Sequence, residues 1–461
     1  MILLSSSPYW PFAVLLIGIV LVIVMISKWR IHPFLSLMLT AIVVGLISTD
    51  LPETNNWSWI VSTIELPMLE LGSVAGKIAW VIALAAIIGT AMMMSGAADS
   101  IVQWLIKALG EKYVGWALML SGLILSIPVF FDTVFFLLIP LVVSLGRRTG
   151  KNYVFYVMAI CAGGVLTHSL VPPTPGPLVM AETLNIDLGA TILAGLAASL
   201  IPAVVALRFA RWADIRVPVD LKAILQKLHG EGEETDDSGS PALPVTLAAL
   251  PIVVPIVLIS LVSIFGVLAD TTPDLVQFLG NKNIAMTLGA LIAIWFWVKR
   301  ANLSLEALGQ KMNEPLQLAG IIILITSAGG AFGAMIKHAG IGDAIQYASA
   351  GFQINYVLLG WILAAIMKIA QGSSTVAMIT TASILTAIMG EGSGDGASLI
   401  LVYLSIGFGA MFGSWMNDSG FWVVGKLSGF TEKETLNTWT RLLAVISLVG
   451  LVEVFVVSLF I

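Results

Sequence analysis

The sequence predicts an all-α polytopic membrane protein built as two inverted repeats, each with a re-entrant hairpin and a broken transmembrane helix. Three observations carry this expectation. The 461 residues are 58% hydrophobic and 11% charged, with a mean hydropathy of +0.99, whereas an ordinary soluble domain is about 25% charged. The apolar residues form continuous runs near the roughly 20 residues a helix needs to cross a bilayer, not the alternation of barrel strands. Polar breaks rich in proline, glycine or serine interrupt these runs at matching points of the two halves.

The elements follow from the apolar runs and from Lys and Arg, which collect in short loops on the cytoplasmic side. The first span, Pro11 to Ile26, ends at Lys28 and Arg30, which puts the N-terminus outside. Met1 leads into it without a basic region or an A-x-A site, so it reads as a retained span rather than a signal peptide. Phe34 to Ile47 leads to an acidic outer loop with Asp50, Glu53, Glu65 and Glu70, and Lys77 to Met94 returns to Lys107 and Lys112 inside. The next basic cluster, Arg147 to Lys151, also belongs inside. Gly115 to Leu145 must therefore enter and leave on one side, turning near Ile127-Pro128, where proline removes a backbone donor. Tyr153 to His168 crosses outward to the rigid break Pro172 to Pro177, and Leu188 to Leu207 returns to Arg208, Arg211 and Arg216. The acidic, Gly/Ser-rich stretch Gly230 to Pro241 reads as a solvated linker.

In the second half, Val245 to Leu268 and Ile284 to Val298 bring the chain to Lys299 and Arg300 inside, and Leu316 to Met335 crosses outward. Tyr356 to Met389 is a second hairpin, broken at Gln371 to Ser374 and followed by an acidic outer loop, Glu391 to Gly396. Leu399 to Trp415 crosses inward to the break Asn417 to Gly420, and Leu442 to Ile461 ends outside. The chain thus divides into N-terminal scaffold spans (1–76), a first inverted repeat (77–207, hairpin near 115–145), a cytoplasmic linker (208–243) and a second half (244–461, hairpin near 353–390). Paired interrupted helices in corresponding places of inverted halves point to a transporter's substrate site.

Non-helical backbone at membrane depth is tolerated only where protein buries it or it lines a cavity, so the four breaks should surround one cavity. Free helix N-termini there suit an anion. Ser126, Asp132 and Thr133 flank the first tip, and Gln371, Gly372, Ser373, Ser374 and Thr375 form the second. Thr174 and Gly176 belong to the proline-rich break, and Asn417, Asp418 and Ser419 to its partner. A carboxylate in hydrocarbon is costly unless paired, protonated or functional. Asp132 therefore reads as a proton carrier or an acceptor for substrate hydroxyls, against the plainer role of an N-terminal helix charge. Asp418 reads in the same way, and His168 offers an imidazole suited to proton coupling. Lys368, one turn before the second tip, is a counter-ion for an acidic substrate if deep, or a snorkelling lysine if shallow. Phe130, Phe131, Phe135 and Phe136 read as packing, and Trp415 and Trp422 as interfacial anchors.

Other chemistries lack their residues. The single Cys161 excludes an internal disulfide framework and a Cys-rich metal site, and His32, His168, His229 and His338 have no metal-ligand spacing. No GxxxxGK[ST] motif marks a primary pump, and no clear nucleophile–base pair marks an enzyme. Neither a cofactor nor a nucleic-acid partner is expected.

The stretches IPVFFDTVFFLLIPL, THSLVPPTPGPL, KIAQGSSTVAMIT and SWMNDSGFWVV together resemble the gluconate:proton symporter family of bacterial permeases, over nearly the whole chain. That resemblance implies a proton-coupled carrier of a small hydroxylated carboxylate such as gluconate in the bacterial inner membrane. Alternatives are a D-serine or glycerate-type substrate, or sodium coupling. It also implies a homodimer with a scaffold and a moving transport domain.

Overall fold

In the computed structural model, residues 7–49, 51, 58–128, 130–217, 219, 224, 243–268, 273–348, 355–389, 396–416 and 418–460 are described. The linker from Gly230 to Pro241, Asn417 and most of the loop after the second hairpin lie outside the described residues. The described chain is helical. The first half comprises α1 (Trp10–Ile23), α2 (Pro33–Ile47), α3 (Trp59–Met94), α4 (Ala97–Leu109), α5 (Val114–Leu125), α6 (Phe131–Thr149), α7 (Tyr153–Leu170), α8 (Pro175–Thr183), α9 (Leu188–Ala198) and α10 (Leu200–Arg216). The second comprises α11 (Leu250–Leu268), α12 (Asp274–Gly280), α13 (Lys282–Ala301), α14 (Leu305–Lys311), α15 (Asn313–His338), α16 (Ile341–Ala348), α17 (Tyr356–Gln371), α18 (Ser374–Met389), α19 (Gly396–Gly409), α20 (Ser419–Leu427) and α21 (Arg441–Val457).

Among the described residues six helical stretches are long and apolar enough to cross a membrane: Trp59–Met94, Tyr153–Thr183, Leu188–Arg216, Lys282–Ala301, Leu305–His338 and Glu432–Val457. The chain is a multi-pass membrane protein. Two boundaries differ from the sequence expectation. The third span begins at Trp59, not Lys77, because Glu65 and Glu70 continue the helix, and α10 carries Arg208 and Arg211 within its last turns. Charged residues end an apolar run without ending a helix, since they keep good helix propensity.

The broken segments appear where the polar residues stand. α5 stops at Leu125 and α6 starts at Phe131, around Pro128. α17 stops at Gln371 with Gly372 at φ 81°, a left-handed C-cap that glycine adopts without steric cost. Both halves follow one order: a long helix (α3, α15), a short amphipathic helix (α4, α16), a broken pair (α5/α6, α17/α18), then a helix ending in a break before a short one (α7/α8, α19/α20).

Packing concentrates on α7, which is buried along nearly its whole length. Small residues permit this. A Cβ at Gly163 would fall 1.9 Å from the Met119 carbonyl oxygen, and one at Gly122 2.7 Å from that of Ile160. The backbones of α5 and α7 therefore touch, as small residues allow in membrane helices. α15 packs against α2, α3 and α18, while α10 packs against α7 and α21.

Candidate functional site

The breaks converge. α6, α18 and α20 each begin at one cavity of about 400 Å³, and Pro175, the first residue of α8, lines it too. Each start has a local cause. Phe130 and Thr174 are extended before their helices, and Pro175 occupies a first-turn position where its missing N–H costs nothing. The Ser373 hydroxyl accepts from the Val376 N–H at 3.3 Å. Asp418 caps α20, its Oδ1 accepting from the Gly420 N–H at 3.1 Å. Unpaired N–H groups and the positive ends of several helices thus face one space.

Asp132, Thr133, His168, Ser373, Ser374, Thr375, Asp418 and Ser419 line this cavity. Asp132 is exposed and, with Thr133, also borders an outer cleft beside Lys426, so its carboxylate stands at the cavity mouth. The remaining candidates do not line the space. The Thr174 hydroxyl donates to the Val171 carbonyl at 2.7 Å. Ser126 is fully buried near Gly164, and Gly176 is packed against Met378. Gln371 is buried beside Met367, and the Gly372 carbonyl accepts from Lys368 while its N–H donates to the Lys368 carbonyl. Asn417 lies outside the described residues.

Lys368 is deep rather than snorkelling, and it does not line the cavity. It is 1% exposed, and its ammonium donates to Asp418 Oδ2 at 2.8 Å and to the Gly372 carbonyl at 2.7 Å. The Ser414 hydroxyl donates to the same Asp418 oxygen, and the Trp439 indole donates to Ser414 Oγ at 2.7 Å. One ion pair therefore ties the second hairpin tip to the break before α20 and to the start of the last span. Trp415 and Trp422 serve the same region, donating to the carbonyls of Ile369 at 3.0 Å and Met416 at 2.7 Å.

The sequence reading missed Ser414, Ser169, Thr326 and Trp439. Ser169 and Thr326 line the cavity, yet Thr326 sits within an unbroken helix and Ser169 in the last helical turn before the proline-rich break. Trp439 lines it from a π-helical turn, Leu436–Thr440, and stacks on Phe131 with centroids 5.3 Å apart. Phe130 and Phe131 thus form part of the wall, Phe135 is fully buried, and Phe136 is 61% exposed. Among the described residues, His168 Nδ1, Ser169 Oγ and Thr326 Oγ1 are buried without a hydrogen-bond partner. Buried polar atoms are almost always satisfied, so a polar occupant suits this wall. Among the described residues no three His, Cys, Asp or Glu side chains come together to hold a metal ion.

A second cavity of about 270 Å³ lies at the opposite ends of the same helices, lined by Glu70, Lys77, Glu182, Lys337 and His338. α15 contributes Leu318 to Thr326 to the first cavity and Gly330 to His338 to the second, and α8 and α18 likewise reach both. Between them the seam is closed: a Cβ at Gly333 would fall 1.9 Å from that of Ser383, and one at Gly329 2.4 Å from Ile379. Lys282 of α13 pairs with Glu182 of α8, and His338 Nε2 lies 3.3 Å from Glu70 Oε1.

A family model described as GntP family permease matches residues 10–460. The gluconate permease of Pseudomonas aeruginosa is 32% identical over 456 residues, covering 96% of each chain. The low-affinity gluconate transporter of Escherichia coli K12 is 31% identical, covering 94% of this chain and 95% of that one. In structure, the YdaH transporter of Alcanivorax borkumensis superposes with a TM-score of 0.65 at 13% identity, covering 93% of this chain and 97% of that one. At that identity the likeness bears on the fold.

Proposed function

The chain belongs to the GntP family of permeases, and from that premise we propose that it takes up a small hydroxylated carboxylate of the gluconate type, with protons, across the bacterial inner membrane. It is a membrane permease rather than an enzyme, as its relatives' names agree. One observation carries the substrate reading: the helix starts and hydroxyls gather on one cavity that also holds a carboxylate, Asp132, without an ion pair among the described residues. Its volume of about 400 Å³ falls in the usual range for small-molecule sites, about 300–1,000 Å³.

The substrate carboxylate sits at the start of α18, among the hydroxyls of Ser373, Ser374 and Thr375, where the N-terminal N–H groups favour an anion. Its hydroxyls reach Ser169, Thr326, Ser419 and Thr133. Asp132, accessible at the mouth, takes up and releases the proton; protonated, it no longer opposes an anionic neighbour and crosses at lower electrostatic cost. Asp418 is held by Lys368, so its part is to fix the break, and His168 bonds a substrate hydroxyl. The repeated element order supports two related halves, and the loop charges supply the reading that they are inverted, with both termini outside. A homodimer with a fixed scaffold and a moving site-bearing body accords with this reading.

The test is radiolabelled gluconate uptake into proteoliposomes under an imposed inward proton gradient, beside a sodium gradient, for wild type and Asp132→Asn. Proton-driven uptake that Asp132→Asn loses is the expected result. Uptake driven by sodium alone overturns the coupling. No uptake by folded wild type overturns gluconate and moves the assay to glycerate and D-serine.

A further inference from the structure

A third cavity, of about 510 Å³, lies away from the transport path, where α10 passes α5 and the short turn Glu111–Tyr113. Three cations from two segments meet there: Lys112 from the turn, and Arg208 and Arg211 one turn apart on α10. The Arg211 guanidinium lies 4.5 Å from the Phe155 ring centroid, and the Lys112 ammonium 5.4 Å from that of Tyr113. Among the described side chains the acidic neighbour is Asp214, which accepts from the Phe155 N–H at 3.1 Å and interacts with Arg211. A positive surplus remains. Below the cations the walls are apolar and open: Trp116 is 37% and Val204 38% exposed, beside buried Leu207. α10 and α7, which carries Phe155, belong to stretches long and apolar enough to cross a membrane, and α5 is a shorter apolar helix.

We infer that this cleft binds an anionic phospholipid, its phosphate held by Lys112, Arg208 and Arg211 and one acyl chain laid along Trp116, Val204 and Leu207. Charge complementarity selects the anionic headgroup. The open apolar floor selects a lipid over a free phosphate ion, which would gain nothing from Trp116 or Val204. Basic pockets between transmembrane helices on the cytoplasmic side bind anionic headgroups in this manner, and Arg offers a planar fork for two phosphate oxygens.

Native mass spectrometry of purified protein, exchanged with equal amounts of phosphatidylglycerol and phosphatidylcholine, tests the assignment. The wild type retains phosphatidylglycerol preferentially. Arg208→Ala lowers that retention about 5-fold and Lys112→Ala with Arg208→Ala roughly 30-fold, on the scale of one basic residue near a charged membrane surface. Arg208→Lys, which keeps the charge and loses the planar fork, retains more than Arg208→Ala and less than the wild type, and phosphatidylcholine adducts do not change. Equal phosphatidylglycerol retention in wild type and variants overturns the site, and loss of the preference in 10 mM inorganic phosphate reassigns it to a free anion. A second measurement needs no variant: titrating phosphatidylglycerol into the wild type raises Tm where phosphatidylcholine does not, and equal effects of the two lipids overturn the inference.

Discussion

Lys368 shows how much of a membrane site hangs on one buried pair. Its charge and that of Asp418 are both withdrawn from water, and each satisfies the other. Removing one partner leaves an uncompensated charge, which costs about 3–5 kcal/mol in a protein interior. Lys368→Met is therefore expected to lower Tm in detergent sharply. The double variant Lys368→Met with Asp418→Asn should recover part of that loss, because no charge is left alone. Equal and additive losses would show the pair uncoupled. The sequence made each residue a candidate, since charge in an apolar run is visible there. Their union was not legible, because 50 residues separate them and neither spacing nor periodicity joins the tip of one hairpin to the break of another helix. Ser126, Thr174 and Gln371 mark the opposite limit: polar residues beside a break are as able to tie the backbone or pack as to face the cavity.

Elements were the most legible scale. The interruptions at Pro128, at Pro172 to Pro177, at Gly372 and before Ser419 follow from local chemistry: an absent N–H, a left-handed glycine and a capping carboxylate. Helix lengths were less legible, because Lys77 and Arg208 sit inside helices whose apolar runs end at them. Which helices touch is decided by small residues, and Gly163 is the sharpest case. A Cβ there meets the backbone oxygen of Met119 and the backbone nitrogen of Leu123 at 2.8 Å, neither of which a side-chain rotation can move. Gly163→Ala is expected to separate α5 from α7 at about 1–3 kcal/mol, the usual range for overpacking. Gly320→Ala, with nothing within 4 Å of its Cβ, is the control and should be neutral or better, since alanine favours helix. Folded yield and Tm in the same detergent compare the two, and equal behaviour would mean that α5 and α7 do not depend on backbone contact.

At the scale of the whole molecule, two cavities occupy opposite ends of α8, α15 and α18 with a closed seam between them. The proposed carrier exposes its site to one side at a time, so contacts across the end that holds the second cavity bias the cycle toward the conformation described. The Glu182–Lys282 pair bridges α8 and α13 across that end, and the Thr386 hydroxyl donates to the Thr183 carbonyl at 3.4 Å, joining α18 to α8. The ion pair is partly exposed, its side chains 26% and 20% accessible, so its worth is that of a solvent-screened bridge, about 0.2–1 kcal/mol. That suits a contact remade on every turnover. Ala334 of α15 lines the same cavity, and the native Cys161 is fully buried, so a cysteine at position 334 reports alone. Glu182→Gln in the Ala334→Cys background is expected to speed labelling by a membrane-impermeant thiol reagent about two- to five-fold, the shift such a bridge supports. On the proposed topology, with both termini outside, the gain appears in intact cells without permeabilisation. An unchanged rate would mean that the pair does not govern opening, and the seam at Gly329 and Gly333 would then be the barrier that sets which way the carrier faces.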